Sequence, residues 1–418
     1  MTATSATPRA GEHRELIEGI RVIDADTHLT EPADLWTSRA PAAYKDRVPR
    51  IVMRPGTFNL ATGMAVDESG ESPMWIIDES VVLSGAGGFG VVNAANEKVR
   101  GVDFMNWSIN DISRAASFVA PRLETMDATG IWGQIMYPNL AGFGGQAFAS
   151  VEDLTLRNLC ATLYNDAMAD IQEESGGRIM GMALLPWWDI EATVAEVERV
   201  AGLGLKGVNT NADPQDQGLP DLGDPYWEPM WDACASLGLP VNFHIGASLT
   251  QASWYGRASW PSLDNERRLA LGSTLLYLNN ARIIGNLIFS GVLERHPTLK
   301  IVSSESGIGW IPFALDALDY QATETAPHVA DVLSMKPSDY FRRQIFACFW
   351  FEGASLVENA RTLGFDKCMF ETDFPHPTCL FPDPLDAVTA VLEDVEYATR
   401  KKLLSGNAAT VYGIDVPA

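Results

Sequence analysis

Apolar runs of strand length recur along this chain, and the segments between them carry helical spacing. The runs are the opening stretch from Val22, then Ile131 to Tyr137, Ile179 to Leu185, Lys206 to Asn209, Pro240 to His244, Lys300 to Ser304, Gln344 to Phe349 and Lys367 to Phe370. Between them, Trp227, Met230, Trp231 and Cys234 fall at i, i+3, i+4 and i+7. Val194, Val197 and Val200 line a second helical face, and Leu269 to Leu293 reads as a longer segment apolar on one side. Eight strands alternating with helices predict an α/β fold, a (β/α)8 TIM barrel, ahead of a doubly wound sheet. Six strands with an appendage is the competing count.

One part breaks the rhythm. The segment 33–129 is rich in Pro, Gly and Trp and far longer than an ordinary βα connection. It reads as an insertion after the first strand, emerging on the face where barrel active sites lie. Its aromatic residues Trp36, Phe58, Trp75, Phe89, Phe104 and Trp107 suit a lid, an oligomer contact or a satellite core over the barrel. Within it, Gly85 to Gly90 matches Gly-x-Gly-x-x-Gly, but no convincing helix follows, so a loop is expected rather than a dinucleotide site. Residues 1–20 are expected to be a flexible leader, and 21–418 one barrel domain that includes the insertion.

A barrel places its chemistry where the strands end. The first strand ends in Asp24-Ala25-Asp26-Thr27-His28-Leu29-Thr30-Glu31-Pro32, and side chains two apart on a strand share a face, so Asp26 and His28 converge. The fifth run ends in His244 before a glycine, the sixth in Glu305, and the eighth in Asp373 with His376 three residues on. Each alone has an ordinary explanation: a hydrogen-bonded core histidine, an acid at a helix start, a turn former before proline. Together, carboxylates and imidazoles on strands one, five, six and eight are what a divalent metal asks for.

Composition narrows the rest. With 418 residues and 46% hydrophobic content the chain can bury a large core. It has no stretch of eighteen apolar residues, and Met1 to Gly19 lacks an apolar centre, so neither a membrane span nor a signal peptide is expected and cytoplasmic location is the default. A net charge of −24 opposes nucleic acid and anionic membrane as partners. Five scattered cysteines without a Cys-x-x-Cys pair argue against a disulfide framework or zinc knuckle.

The first-strand motif, Phe243-His244, Gly291 to Lys300, Glu371-Thr372-Asp373-Phe374-Pro375-His376-Pro377 and Gly406-Asn407-Ala408-Ala409 resemble the amidohydrolase-related metal-dependent barrels, in the branch that includes aminocarboxymuconate semialdehyde decarboxylase and related aromatic-acid decarboxylases. The resemblance covers residues 21–32 and 130–415. It implies that Asp26, His28, His244 and Asp373 bind the metal. Two departures stand out. Asp26 replaces a first-strand His or Glu and Glu305 a sixth-strand His, which shifts the set toward oxygen ligands and makes manganese or iron credible beside zinc.

Two enzyme readings follow. In the first, one ion serves hydrolysis or non-oxidative decarboxylation of a small carboxylated or carbonyl substrate, with Asp373 or Glu305 managing the proton. In the second, Asp26, His28, Glu31, His244, Glu305, Asp373 and His376 hold two ions, as in the dinuclear iron or manganese oxygenases of this superfamily. A structural partner of a catalytic paralogue is a third reading, opposed by the intact ligand set. A homo- or hetero-oligomer is expected. Lys206 is a candidate bridging ligand, and Arg257, Arg267 and Arg268 are candidate clamps for a substrate carboxylate, with surface ion pairs the plainer account. His13, His296 and His328 are expected to be structural or exposed.

Overall fold

The computed structural model describes residues 14–55, 71–84, 87–149, 151–252 and 260–417. Eleven strands are formed among them: β1 (Val22–His28), β2 (Arg50–Pro55), β3 (Glu71–Ile77), β4 (Ser80–Ser84), β5 (Ile131–Tyr137), β6 (Ile179–Leu184), β7 (Gly207–Asn209), β8 (Val241–His244), β9 (Ile301–Ser304), β10 (Ile345–Phe349) and β11 (Cys368–Phe370). Eight of them make one parallel sheet in the order β1-β5-β6-β7-β8-β9-β10-β11. The last strand returns to the first. Asp373 N donates to Asp26 O at 3.0 Å and His28 N to Phe374 O at 2.7 Å, so the ring closes through the residues that follow β11. This is the predicted TIM barrel, and each predicted strand is present within a residue or so of its expected bounds.

Inside the ring, Ile23, Ala25, Ile135, Tyr137, Met180, Met182, Val302, Phe346, Cys348 and Met369 form one cluster with Ala408, Val411 and Tyr412 of the terminal helix Asn407–Tyr412. That helix plugs the bottom of the barrel. Tyr412 Oη donates to Asn242 Oδ1 at 2.8 Å and lies 3.3 Å from Tyr137 Oη.

A register irregularity in β1 sets the aim of the site. Between Asp24 and Thr27 the pairing with β5 shifts, a bulge of the kind that redirects side chains beside active sites. Ile23 and Ala25 face the interior cluster, whereas Asp24 turns to the closing seam, accepting from Thr372 N at 2.8 Å, Thr372 Oγ1 at 2.5 Å and Gln134 Nε2 at 3.2 Å. After the bulge Asp26 and His28 face inward in their place.

The described residues of the insertion pack on the barrel in two clusters. β2, β3 and β4 form a separate antiparallel sheet. Trp36 and Trp75 meet edge to face at 5.8 Å, and Trp36 Nε1 donates to Cys160 O on the helix Leu154–Glu174, which ties them into the main core. Phe104, Met105, Val91, Val92 and Ala115 pack with Phe374 and Cys379 beyond β11. Phe58, Gly85 and Ala86 lie outside the described residues. Gly87–Phe89 form a turn that leads into no helix, as expected. The insertion ends earlier than 129, because Val119–Thr129 is already the helix connecting β1 to β5. The long segment from Leu269 is also not one helix: Asn265–Leu276 and Asn280–Phe289 are separated by a 3-10 turn at Tyr277–Asn279.

Candidate metal centre

The side chains expected at the strand ends converge inside the upper rim of the barrel. His28 Nε2 and His244 Nε2 stand 3.2 Å apart. Asp26 Oδ1 lies 3.4 Å from His28 Nε2, and Asp26 Oδ2 lies 3.2 Å from His244 Nε2. Glu305 Oε2 is 3.1 Å from His244 Nε2. Asp373 Oδ1 is 3.5 Å from His28 Nε2 and 3.3 Å from His376 Nδ1. Donor atoms on a tetrahedron with bonds of about 2.0–2.1 Å would be separated by about 3.3 Å. Among the described residues, two groupings have donors all within 4.8 Å of one another: Asp26, His28, His244 and Glu305, and His28, Glu305, Asp373 and His376.

Local structure fixes these directions. His28 Nδ1 faces Pro138 O at 3.3 Å and His244 Nδ1 faces Ile245 O at 2.7 Å, so each ring carries its proton on Nδ1 and offers an unprotonated Nε2 to the centre. Glu305 and Asp373 both have positive φ, 49° and 60°, in the left-handed region that non-glycine residues seldom occupy. Glu305 is held there by its N–H donating to Glu371 Oε2 at 3.2 Å, and Asp373 by His376 N donating to its carbonyl at 2.8 Å. Thr378 Oγ1 donates to Asp373 Oδ2.

The charge balance of this centre calls for a cation. Asp26, His28, His244 and Asp373 are fully buried. Burial, reinforced by neighbouring carboxylates, raises Asp26, Glu305 and Glu371 well above the usual carboxylate range. Burial also depresses both histidines, His244 to about 4, leaving neutral imidazoles. Burial would raise Asp373 too, but the His28 and His376 imidazoles beside it outweigh burial and hold this carboxyl low. Both oxygens of Asp26 and Oδ1 of Asp373 are buried without a hydrogen-bond donor. Acceptor atoms left bare inside a protein are costly, and a divalent ion is the partner that suits all of them.

Glu31, expected as a ligand, belongs to neither grouping. Its oxygens accept from Asn139 N at 2.9 Å and Leu140 N at 3.0 Å, anchoring the loop after β5. Lys206 reaches Gly413 O at the opposite end of the barrel and bridges nothing in the centre. His296 pairs with Glu228 and Asp232, His328 is exposed, and Arg267 pairs with Asp264 on the surface. His13 and Arg257 lie outside the described residues. Two neighbours escaped the sequence reading. Glu371, two residues before Asp373, was visible by strand periodicity. Phe143, in the Gly142-Phe143-Gly144-Gly145 loop, has its ring 3.9 Å from His244 and 5.0 Å from His28.

The amidohydrolase family model matches residues 113–414, so this chain belongs to the amidohydrolase family. Among named relatives, the gamma-resorcylate decarboxylase of Polaromonas sp. is 27% identical over 316 residues, covering 72% of this chain and 90% of its own length. An amidohydrolase from Mycobacterium avium subsp. paratuberculosis superposes with a TM-score of 0.70 at 23% identity, covering 94% of this chain and all of that one. A Polaromonas dihydroxybenzoic acid decarboxylase, solved with manganese and the inhibitor 2-nitroresorcinol, gives 0.58 at 19% identity over 94% of this chain and 96% of its own. The two structures establish likeness of fold. The relatives' names favour the decarboxylase side of the sequence reading and lend the oxygenase alternative no support. Among the described residues no helix is long and apolar enough to cross a membrane.

Proposed function

We propose that this protein is a metal-dependent carboxy-lyase that removes CO2 non-oxidatively from a small aromatic carboxylic acid. The observation that carries the reading is the buried cluster of Asp26, His28, His244 and Glu305, whose donors lie within 4.8 Å of one another. Those four residues would hold one divalent ion, and manganese suits a set with two carboxylates. The manganese in the Polaromonas decarboxylase supports that choice. When bound, the ion supplies a Lewis acid that binds and polarises substrate oxygen atoms.

The chain's own groups account for the remainder. When the bond between ring carbon and carboxylate breaks, its electron pair stays on the ring carbon, CO2 departs, and a proton must reach that carbon. Asp373 and His376 form the proton-handling pair, with Nδ1 to Oδ1 at 3.3 Å and His376 Nε2 buried without a partner. Thr378 and the His28 ring keep the Asp373 carboxylate in place. Phe143 and the surrounding walls exclude water from the histidines, which strengthens the electrostatics of the centre.

The deciding experiment incubates manganese-loaded protein with hydroxybenzoic and related aromatic acids under nitrogen and follows CO2 release. Turnover without oxygen, lost on chelation, is expected. Product that forms only in air would refute the assignment.

A further inference from the structure

We propose, resting on the metal-centre reading, that Phe143 and the glycine-rich strap carrying it form the gate through which the ion and the substrate reach that centre. Asp26, His28, His244 and Asp373 have no exposed surface, His376 is 5% exposed and Glu305 8%. Donors so enclosed can exchange an ion or meet an aromatic acid only if a neighbouring segment moves aside. Phe143 is half-buried, whereas the imidazoles it covers are buried. Its ring lies 3.9 Å from the His244 ring, 5.0 Å from His28 and 5.9 Å from His376. Rings at 3.9 Å are in van der Waals contact, so nothing enters between Phe143 and His244 while the strap stays down.

The strap, residues 142–146, is built to lift as a unit. It follows β5, and Ala147 N donates to Ala141 O at 2.9 Å, which closes its neck. Gly145 N donates to Gly142 O at 3.0 Å, making a turn in which Gly142 and Gly145 hold φ of 74° and 69°, left-handed values that glycine adopts without strain. From the neck it crosses to the ends of β7 and β8 and lies on them backbone to backbone. A Cβ on Gly144 would stand 2.5 Å from Ala247 O and 2.9 Å from both Asn211 Cα and Thr210 O. Two side chains fasten it: Gln146 Nε2 donates to Gly246 O at 2.8 Å, and Trp187 Nε1 to Gly144 O at 2.7 Å. Hydrogen bonds of this kind are readily exchanged for bonds to water, so leaving the seat costs little, and the turn and neck keep their own bonds as the strap lifts. Phe143, at the tip, is the apolar plug that leaves with it.

The test follows manganese(II) uptake by stripped protein, and manganese release from loaded protein into excess EDTA, through the paramagnetic resonance signal of the free ion. Wild type, Phe143→Ala and Gly144→Ala are compared. The first variant removes the plug. The second keeps the ring but pushes the strap off Ala247 O, and it adds a clash without left-handed strain. A gate governs passage in both directions. Both variants should therefore raise the uptake and release rates together, by about tenfold or more, and change the dissociation constant far less than either rate. Phe143→Ala decides alone should Gly144→Ala fail to fold. A ring that only packs the histidines would, once removed, speed release, leave uptake unchanged and weaken binding by the same factor. That pattern, or wild-type rates in the variants, overturns the gate and leaves the metal centre standing. Wild-type protein that takes up no manganese refutes the centre itself, and the gate with it.

Discussion

His28 and His376 stack face to face, their ring centroids 3.7 Å apart and their planes 18° from parallel. The first ring belongs to the opening strand and the second to the loop after the closing one, so the stack bonds the two ends of the barrel at the centre itself. His376 contributes both the stacking surface and a nitrogen beside Asp373. These contributions separate experimentally.

His376→Phe keeps an aromatic face on His28 while removing Nδ1. Metal content should stay at the wild-type level and kcat should fall by about 10²-fold or more, the scale of a lost proton-transfer group. Unchanged kcat with full metal content would show that His376 is only a packing residue.

Glu305→Gln is nearly isosteric but neutral. The variant should fold, lose affinity for manganese and lose turnover. Activity within about tenfold of wild type, roughly 1.4 kcal/mol of barrier, would make Glu305 structural only.

Glu31→Gln should behave in the opposite way. Its carboxylate accepts two backbone N–H groups, and an amide oxygen replaces that acceptor incompletely, so a stability loss of about 1–3 kcal/mol is expected. Metal stoichiometry should not change. Denaturant unfolding beside metal analysis checks both halves.

The stripped protein should have an unusual pH profile. Burial raises Asp24 and Glu31 to about 7, and Asp26, Glu305 and Glu371 are raised as well. These carboxyls hold protons more tightly in the folded chain than in the unfolded one. The stability they contribute is full below the ordinary carboxylate range and drains away as pH rises through the folded values. Metal-stripped protein should therefore melt at a higher temperature at pH 5.5 than at pH 8. Added manganese should reverse the order, since ligands must shed protons to bind it. Thermal melts with and without chelator measure this, and a stripped protein more stable at pH 8 would contradict it.

The strands of the barrel were legible because burial on both sides leaves each as a short apolar block, and the donors because a carboxylate or imidazole interrupts each block at its end. Less visible was whatever depends on local geometry. The β1 bulge sends Asp24 to the seam and Asp26 inward, although both sit two apart in the same strand pattern. Glu31 reads like a ligand until the loop after β5 is seen to bring Asn139 and Leu140 N–H groups onto it. Asp373 was expected beside Asp26 and His244. Its donor groups with those of His28, Glu305 and His376, and its charge acts on Asp26 and His244 as well.

The closing seam has a consequence for synthesis. Asp24 and Thr372, joined by two hydrogen bonds, are 348 positions apart in the chain. A nascent polypeptide that has not yet released β11 from the ribosome has neither the seam nor Asp373 and His376, however well its earlier βα units have collapsed. Closure of the centre therefore has to wait until β11 has been made, and fragments truncated ahead of Thr372 should emerge as open sheets with an exposed edge on β1.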